Sequence, residues 1–359
     1  MKHVQRLHQF VVGASYGDAI YNQATILQKW LQARGWESKI YAEHIHIKEA
    51  HQVWPYTAYQ PATARETVIL HYSIGSPMLY YLLSYELRFI MIYHNLTPPR
   101  LMNGLNTSHK QLLQVGIELL PYFAQQTCLA LADSEYNRRD LLAAGFASTG
   151  VLPVPFDEEA YRQPPDPGVL ERFDDDFVNL LFVGRIVPNK RMEDVLKVFY
   201  YYRQINPRAR LFLVGAPLTE DCRYYAWLKE FIKESGLKEV YLTGYVPVSE
   251  LLAYYQLTDV YVSMSEHEGY GVPLMESIYF DVPVLAYKAS AVPDTLGRAG
   301  LQIAHKNYPF IAELIEQLVA DTTLRQRVIS QQRQRLADMS LGQIKRRFDA
   351  YIEILWGKS

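Results

Sequence analysis

Glu268 and Glu276 stand eight positions apart, and between them run Gly269, Tyr270, Gly271, Val272, Pro273 and two apolar residues. Val260–Met264 before them and Pro283–Tyr287 after them are short apolar runs of the kind that form buried strands. Glycines supply a tight turn, and Pro273 suits the first position of a helix, where its missing N–H costs nothing. The pattern predicts strand, loop, helix, strand, with Glu276 in the first turn of the helix. Such a unit aims loop amides and the positive end of a helix out of the carboxyl end of a parallel strand, where α/β sheets hold anions. Two carboxylates beside that anion would accept hydrogen bonds from hydroxyls. A plainer alternative has Glu276 complementing the helix dipole and Glu268 in a solvated loop. The strand–loop–helix–strand context favours the first reading.

A diphosphate flanked by two polyhydroxylated rings, a nucleotide sugar, meets both demands. Here the stretch E-G-Y-G-V-P-L-M-E resembles the Glu-x7-Glu signature of the retaining nucleotide-sugar glycosyltransferases of the large family 4, which have the GT-B fold. The resemblance implies that Glu268 faces the transferred sugar and Glu276 the ribose, with Gly269, Tyr270, Gly271 and Val272 lining the loop. It extends to Gly184-Arg185-Ile-Val-Pro-Asn-Lys190, after the apolar run Val178–Val183. Family members carry Arg and Lys at this spacing on the donor diphosphate. Preplaced cations would favour the charge that grows on a departing diphosphate, Arg as a planar fork and Lys as a mobile point charge. Ordinary surface basics at a helix start are the plainer alternative.

The same resemblance places Tyr245 and Val246, which follow the strand Val240–Gly244, beside the nucleotide base. It places His94 beside the transferred sugar, often at its 6-hydroxyl; this histidine leaves the apolar strand Phe89–Tyr93 into Asn-Leu-Thr-Pro-Pro. His71, near the end of the strand Thr67–Tyr72, is the competing histidine. In the loop after the first strand, His8–Val12, the family has a denser glycine pair than Gly13 and Gly17. Gly17 and Asp18 are therefore assigned only to the donor diphosphate or the acceptor. Two further departures are Asp281, where the family commonly has glycine, which predicts an altered helix end, and Pro293-Asp294 in place of Pro-Glu.

The elements that must position these residues alternate. Strands at Ser38–Ala42, Cys128–Ala132, Ala209–Gly215 and Gly300–Ala304 are separated by helices such as Ala19–Arg34, capped by Gly35, and Glu135–Ala144, capped by Ser134. Pro121 is expected to close an amphipathic helix over Thr107–Leu120. The expected fold class is α/β: two Rossmann-like domains facing each other across a cleft in the GT-B manner. The first spans 1–160 on the acceptor side and the second 174–340 on the nucleotide-sugar side. Residues 161–173, rich in proline, read as a linker, and the resemblance implies a last helix within 341–359 that returns to the first domain.

A chain of 359 residues can bury two cores. A net charge of −2 gives no electrostatic reason to expect nucleic acid as a partner. Cys128 and Cys222 lack metal-ligand spacing and read as packing residues in a reducing compartment. No run is apolar enough to span a membrane, and M-K-H-V-Q-R-L-H-Q-F lacks a leader core. These readings predict a cytoplasmic protein, with peripheral contact to the inner membrane face left open. Asp174-Asp175-Asp176 precedes a strand instead of ending one, so it reads as a solvated strand entry. No metal and no other cofactor is expected. The 28 tyrosines read mainly as core-boundary residues rather than sugar platforms. The implied reaction is retaining transfer of a hexosyl unit from a nucleoside-diphosphate sugar to a saccharide or lipid-linked acceptor, in polysaccharide or glycoconjugate synthesis. Family habit puts a UDP-hexose such as UDP-glucose ahead of GDP-mannose as donor. The rival readings are an epimerase or phosphorylase of the same fold, and an inactive nucleotide-sugar-binding partner.

Overall fold

The structure, a computed structural model, describes residues 5–15, 17–104, 107–219 and 222–357. Residues 1–4 of the leader reading, and Tyr16 in the loop before Asp18, lie outside them. The chain divides into two compact units. The first takes Met1–Pro99, Ser108–Pro155 and Ser340–Ser359, and the second takes Arg100–Thr107 and Phe156–Met339.

Among the described residues the first unit holds seven strands: β1 (Gln9–Ala14), β2 (Ile40–Ile45), β3 (Val53–Pro55), β4 (Thr67–Tyr72), β5 (Arg88–Tyr93), β6 (Thr127–Ala132) and β7 (Thr149–Val151). Every pair is parallel, in the order β3-β2-β1-β4-β5-β6-β7. The central strands read as continuous apolar runs because helices cover both faces. The helix Leu341–Trp356 is one of these covers: Ile344, Phe348 and Ile352 pack with Leu27, Trp30, Ile69 and Ile90 in one core cluster. Burying each such side chain contributes roughly 1.5–3 kcal/mol, which binds the end of the chain to the first sheet.

The second unit holds β8 (Val178–Val183), β9 (Ala209–Val214), β10 (Val240–Gly244), β11 (Val260–Ser263), β12 (Val284–Tyr287) and β13 (Leu301–Ile303). They too are all parallel, in the order β10-β9-β8-β11-β12-β13.

Three sequence expectations change. The units part at Pro155 and Phe156 instead of near 160, and 161–173 is not a bare linker. Most of that segment's end is a helix, Pro167–Phe173, whose Phe173 packs edge-on against Phe212 and Tyr241. Pro121 does not close its helix, which runs from Thr107 to Ala124. Proline forfeits one helical bond, but Leu120 and Phe123 on either side of it are buried and keep the last turn in place. Two short edge strands, β3 and β7, fall below the length at which alternation can be read from sequence.

Other local readings hold. Gly35 takes φ +79° after the first long helix, and Ser134 Oγ accepts from Asn137 N at 3.1 Å. Asp281, replacing the expected glycine, adopts φ +56° just past the helix Val272–Tyr279, and Arg333 pairs with its carboxylate at 2.6 Å. Asp175 and Asp176 bond to Arg210 and Arg208, as a strand entry would. Cys222 lies in the second core.

Candidate active site

In the second unit, the carboxyl ends of three adjacent strands are bare of side chains. Gly184 follows β8, Gly215 follows β9 and Gly244 ends β10. Gly184 N bonds to Val214 O at 2.9 Å and Gly215 N to Gly244 O at 3.0 Å. A Cβ on Gly215 would run into the Gly184 carbonyl oxygen, so only glycine lets these loops meet. Gly215 and Gly244 were not among the residues singled out above. Their signal was present, since each closes a run expected to be a strand.

Lys190 ends the short 3-10 turn Pro188–Lys190, and Glu268 lies in the loop after β11. They are 78 positions apart, yet Lys190 Nζ sits 2.7 and 2.6 Å from the two carboxylate oxygens of Glu268. Both side chains are largely buried, at 19 and 11% exposure. The loops are also tied by backbone: Glu266 N donates to Asn189 O, and Asn189 Nδ2 donates to His267 O, both at 2.9 Å. Ser290 Oγ accepts from Glu268 N at 2.7 Å. Burial lowers His267 to about 4, so at neutral pH it adds no cation beside Glu268. Arg185 is exposed and forms no ion pair among the described residues.

Charged residues that the sequence did not flag hold this loop from behind. Lys306 Nζ bridges Asp194 and Glu266 at 2.8 and 2.9 Å, and Arg191 reaches the same two carboxylates at 3.1 and 3.4 Å. Asp194 is fully buried. Burial pushes its carboxyl up, but bonds from Lys306, Tyr308 and Arg191 and the charge of Lys306 prevail and hold it at about 2. Nothing local in the sequence joins Asp194 to Lys306, because the 112-residue span between them closes only in the fold.

The helix after the Glu268 loop, Val272–Tyr279, begins one residue earlier than Pro273 suggested, and its first turn holds no acid. Glu276 therefore lies in the second turn, so it cannot complement the helix N-terminus as the plainer alternative had it. Its oxygens accept from Tyr161 Oη at 2.5 Å and Tyr255 Oη at 2.6 Å, and burial raises its carboxyl pKa against the pull of those two bonds. Gly271 at φ +85° makes the turn into the helix, where a Cβ would meet Leu274 Cδ1 at 2.9 Å. Leu274 N is taken by Gly271 O. Tyr270 is buried, at 6% exposure, and its carbonyl accepts from Thr295 Oγ1. Tyr245 is 76% exposed and Val246 half-buried at the end of β10.

The remaining expected site residues lie on the first unit. Asp18 caps the helix Ala19–Ala33, accepting from Ile20 N and Tyr21 N at 3.0 Å, and Gly17 before it takes φ +84°. His94 leaves β5 with a buried ring. Its Nδ1 is 2.9 Å from Asp133 Oδ2 and its Nε2 is 3.0 Å from His71 Nδ1. The two histidines that competed as candidates are thus bonded to each other, and both nitrogens of His94 already have protein partners.

The geometry defines a class: a parallel α/β unit with an anion-ready carboxyl edge carrying a lysine–glutamate pair. Residues 170–335 match the family described as glycosyl transferases group 1. Relatives include the O-antigen chain mannosyltransferase B of Escherichia coli, 27% identical over 147 residues, covering 41% of this chain and 38% of that protein. The capsular polysaccharide biosynthesis glycosyltransferase CapM of Staphylococcus aureus is 27% identical over 175 residues, covering 47% of this chain and 44% of that one. The chain thus spans less than half the length of these two relatives. Among solved structures, sucrose-phosphate synthase from Thermosynechococcus elongatus matches with TM-score 0.75 at 15% identity, over 99% of this chain and 100% of that one. Anabaena HepE in complex with UDP and glucose matches with TM-score 0.74 at 15% identity, over 98 and 100%. Residues 170–335 are thus similar to glycosyl transferases group 1, and the fold over nearly the whole chain is the GT-B fold of these solved structures.

Proposed function

We propose that this protein transfers a hexosyl unit from a nucleoside-diphosphate sugar to a hydroxyl of a saccharide or glycolipid acceptor, with retention at the anomeric carbon and without a metal. The observation that carries this reading is the meeting of Lys190 with Glu268 beside the glycine-ended strands β8, β9 and β10. A donor would exchange one ion pair for two contacts, its diphosphate taking Lys190 and its sugar hydroxyls taking Glu268. Exposed Arg185 adds a second cation for the leaving diphosphate. With charge developing there as the glycosidic bond breaks, fixed cations stabilise the transition state more than the ground state. The acceptor hydroxyl then gives its proton to the departing phosphate on the same face, and the new bond keeps the anomeric configuration. Glu276, held by two tyrosines, would meet the ribose by sharing those hydroxyls.

A UDP-hexose is the first donor to test, and HepE's complex with UDP-glucose supports it. GDP-mannose is the second reading, supported by relatives whose names specify a GDP-mannose-dependent mannosyltransferase. Polysaccharide or glycoconjugate synthesis as the setting is supported by the names of the two bacterial relatives. Among the described residues no helix is long and apolar enough to cross a membrane. A melting-temperature panel of UDP- and GDP-sugars identifies the donor, because a ligand selective for the folded state raises the midpoint. Transfer from the stabilising donor is then followed by NMR of the anomeric proton. An inverted product, or no sugar nucleotide that shifts the midpoint, would remove this reading.

A further inference from the structure

The buried polar string through His94 has a proton count that its geometry fixes. At one end Gln9 Nε2 donates to Ala24 O at 2.9 Å, a carbonyl that can only accept. That sets the amide's orientation and turns Gln9 Oε1 toward His71 Nε2, 3.0 Å away. His71 Nε2 must then carry a proton. His71 lies wholly inside, and burial holds it well below the usual imidazole range, so the ring is neutral and Nδ1 accepts. The proton between His71 Nδ1 and His94 Nε2 therefore belongs to His94. Two neutral rings have now given both their protons, yet His94 Nδ1 still faces Asp133 Oδ2 at 2.9 Å. A bare lone pair against a carboxylate would repel, so that link needs a third proton.

We propose that Gln9, His71 and Asp133 are positioning residues that lock His94 through a directional string of three protons, the third held between His94 and Asp133 so that the group is neutral as a whole. Two further observations agree. Asp133 Oδ1 is buried with no hydrogen-bond partner among the described residues, which suits the neutral oxygen of an acid better than half of an anion. Burial also pushes the Asp133 carboxyl up, against the opposing pull of His94.

The string ends where the backbone is strained. Asn95, next in the chain, has φ +76° and is held by a 2.7 Å bond from its Nδ2 to Asn137 Oδ1. Such a conformation persists only when its surroundings over-determine it. The ring of His94 thus anchors the turn at the end of β5, and residue 94 serves a substrate without a free ring nitrogen. The meaning for transfer rests on the function proposed above; the proton count does not.

Asparagine at 133 separates this string from a working histidine–aspartate pair. The Asn Nδ2–H supplies the third proton, so Asp133→Asn should melt within a few degrees of the parent and keep transfer within about threefold. Asp133→Ala breaks the link and should lose roughly tenfold or more. An aspartate needed as an anion beside a catalytic imidazole would make asparagine cripple the enzyme by orders of magnitude, and a mutant as damaged as Asp133→Ala would overturn the proposal. Nitrogen-15 NMR of the histidine-labelled full chain needs no substrate. We expect His71 as the Nε2–H tautomer in the parent, and His94 as the neutral Nε2–H tautomer in Asp133→Asn. The opposite tautomer at His71 refutes the string. If NMR shows the string but no nucleotide sugar is turned over, the transferase reading fails alone.

Discussion

Near the carboxyl ends of β4, β5 and β6, the first sheet carries His71, His94 and Asp133, side chains bonded to one another out of solvent. At the ends of β8, β9 and β10, the second sheet carries glycine on every strand, and the charges stand on the loops around them. Parallel strands and their following loops are common to both edges, yet one edge is closed by a neutral string and the other armed with ions. The difference lies in what is left unsatisfied. On the first edge every ring nitrogen has a protein partner. On the second, Arg185 is exposed, backbone is uncovered, and Lys190 is held by a carboxylate that could itself bind hydroxyls. A buried network whose ring nitrogens are all paired fixes structure, whereas an edge with an exposed cation leaves charge that a ligand could take.

The largest test of this contrast removes a charge from the armed edge. Lys190→Ala should cut transfer turnover about hundredfold while weakening donor binding much less, since the cation acts mainly on the leaving group. Arg185→Ala should show the same split at about tenfold. Turnover equal to the parent in both would dissolve the distinction between the edges.

Gly215→Ala sharpens it by testing the bare backbone alone. Its methyl would strike the Gly184 carbonyl, which cannot swing aside as a side chain could. Overpacking of that kind costs about 1–3 kcal/mol, and we expect a lower urea midpoint together with weaker donor binding. An unchanged midpoint would mean the β8 and β9 loops need no close approach.

The last effect concerns the charges behind the armed edge. The carboxyl of Asp194 is held at about 2, below its ordinary value of 3.8. Its stabilising contribution is therefore fully present above about pH 4 and disappears as pH falls through about 2. Asp194→Asn should cost about 2 kcal/mol at pH 7, and its difference from the parent should shrink below pH 4. Urea melts across that range would show it; a difference independent of pH would mean the fold holds the Glu266–Glu268 loop without this charge.

Much of the armed edge was legible beforehand. Strand β8 and the Gly-Arg-x4-Lys run after it, and β11 with the Glu-Gly-Tyr-Gly-Val-Pro run after it, are local patterns: apolar runs broken by glycine and proline, whose backbone preferences act within a few residues. The closed edge was half legible. His71 and His94 each stood out at a strand end, but as rivals, because sequence cannot show that neighbouring strands in register set two ring nitrogens 3.0 Å apart. Gln9 and Asp133 gave no signal, since their function exists only through partners 62 and 39 positions away.

The sequence by itself determined the alternation of strands and helices, the caps at Ser134 and Gly35, and the loops that carry Arg185, Lys190 and Glu268, because these follow from backbone sterics and the periodicity of apolar residues. Only the tertiary structure decided which charges neutralise which, that Tyr161 and Tyr255 hold Glu276, that Tyr270 turns inward, and that the ring of His94 is locked. Hydrogen bonds and ion pairs inside a protein are settled by distance and desolvation, and neither exists until the strands have been laid side by side.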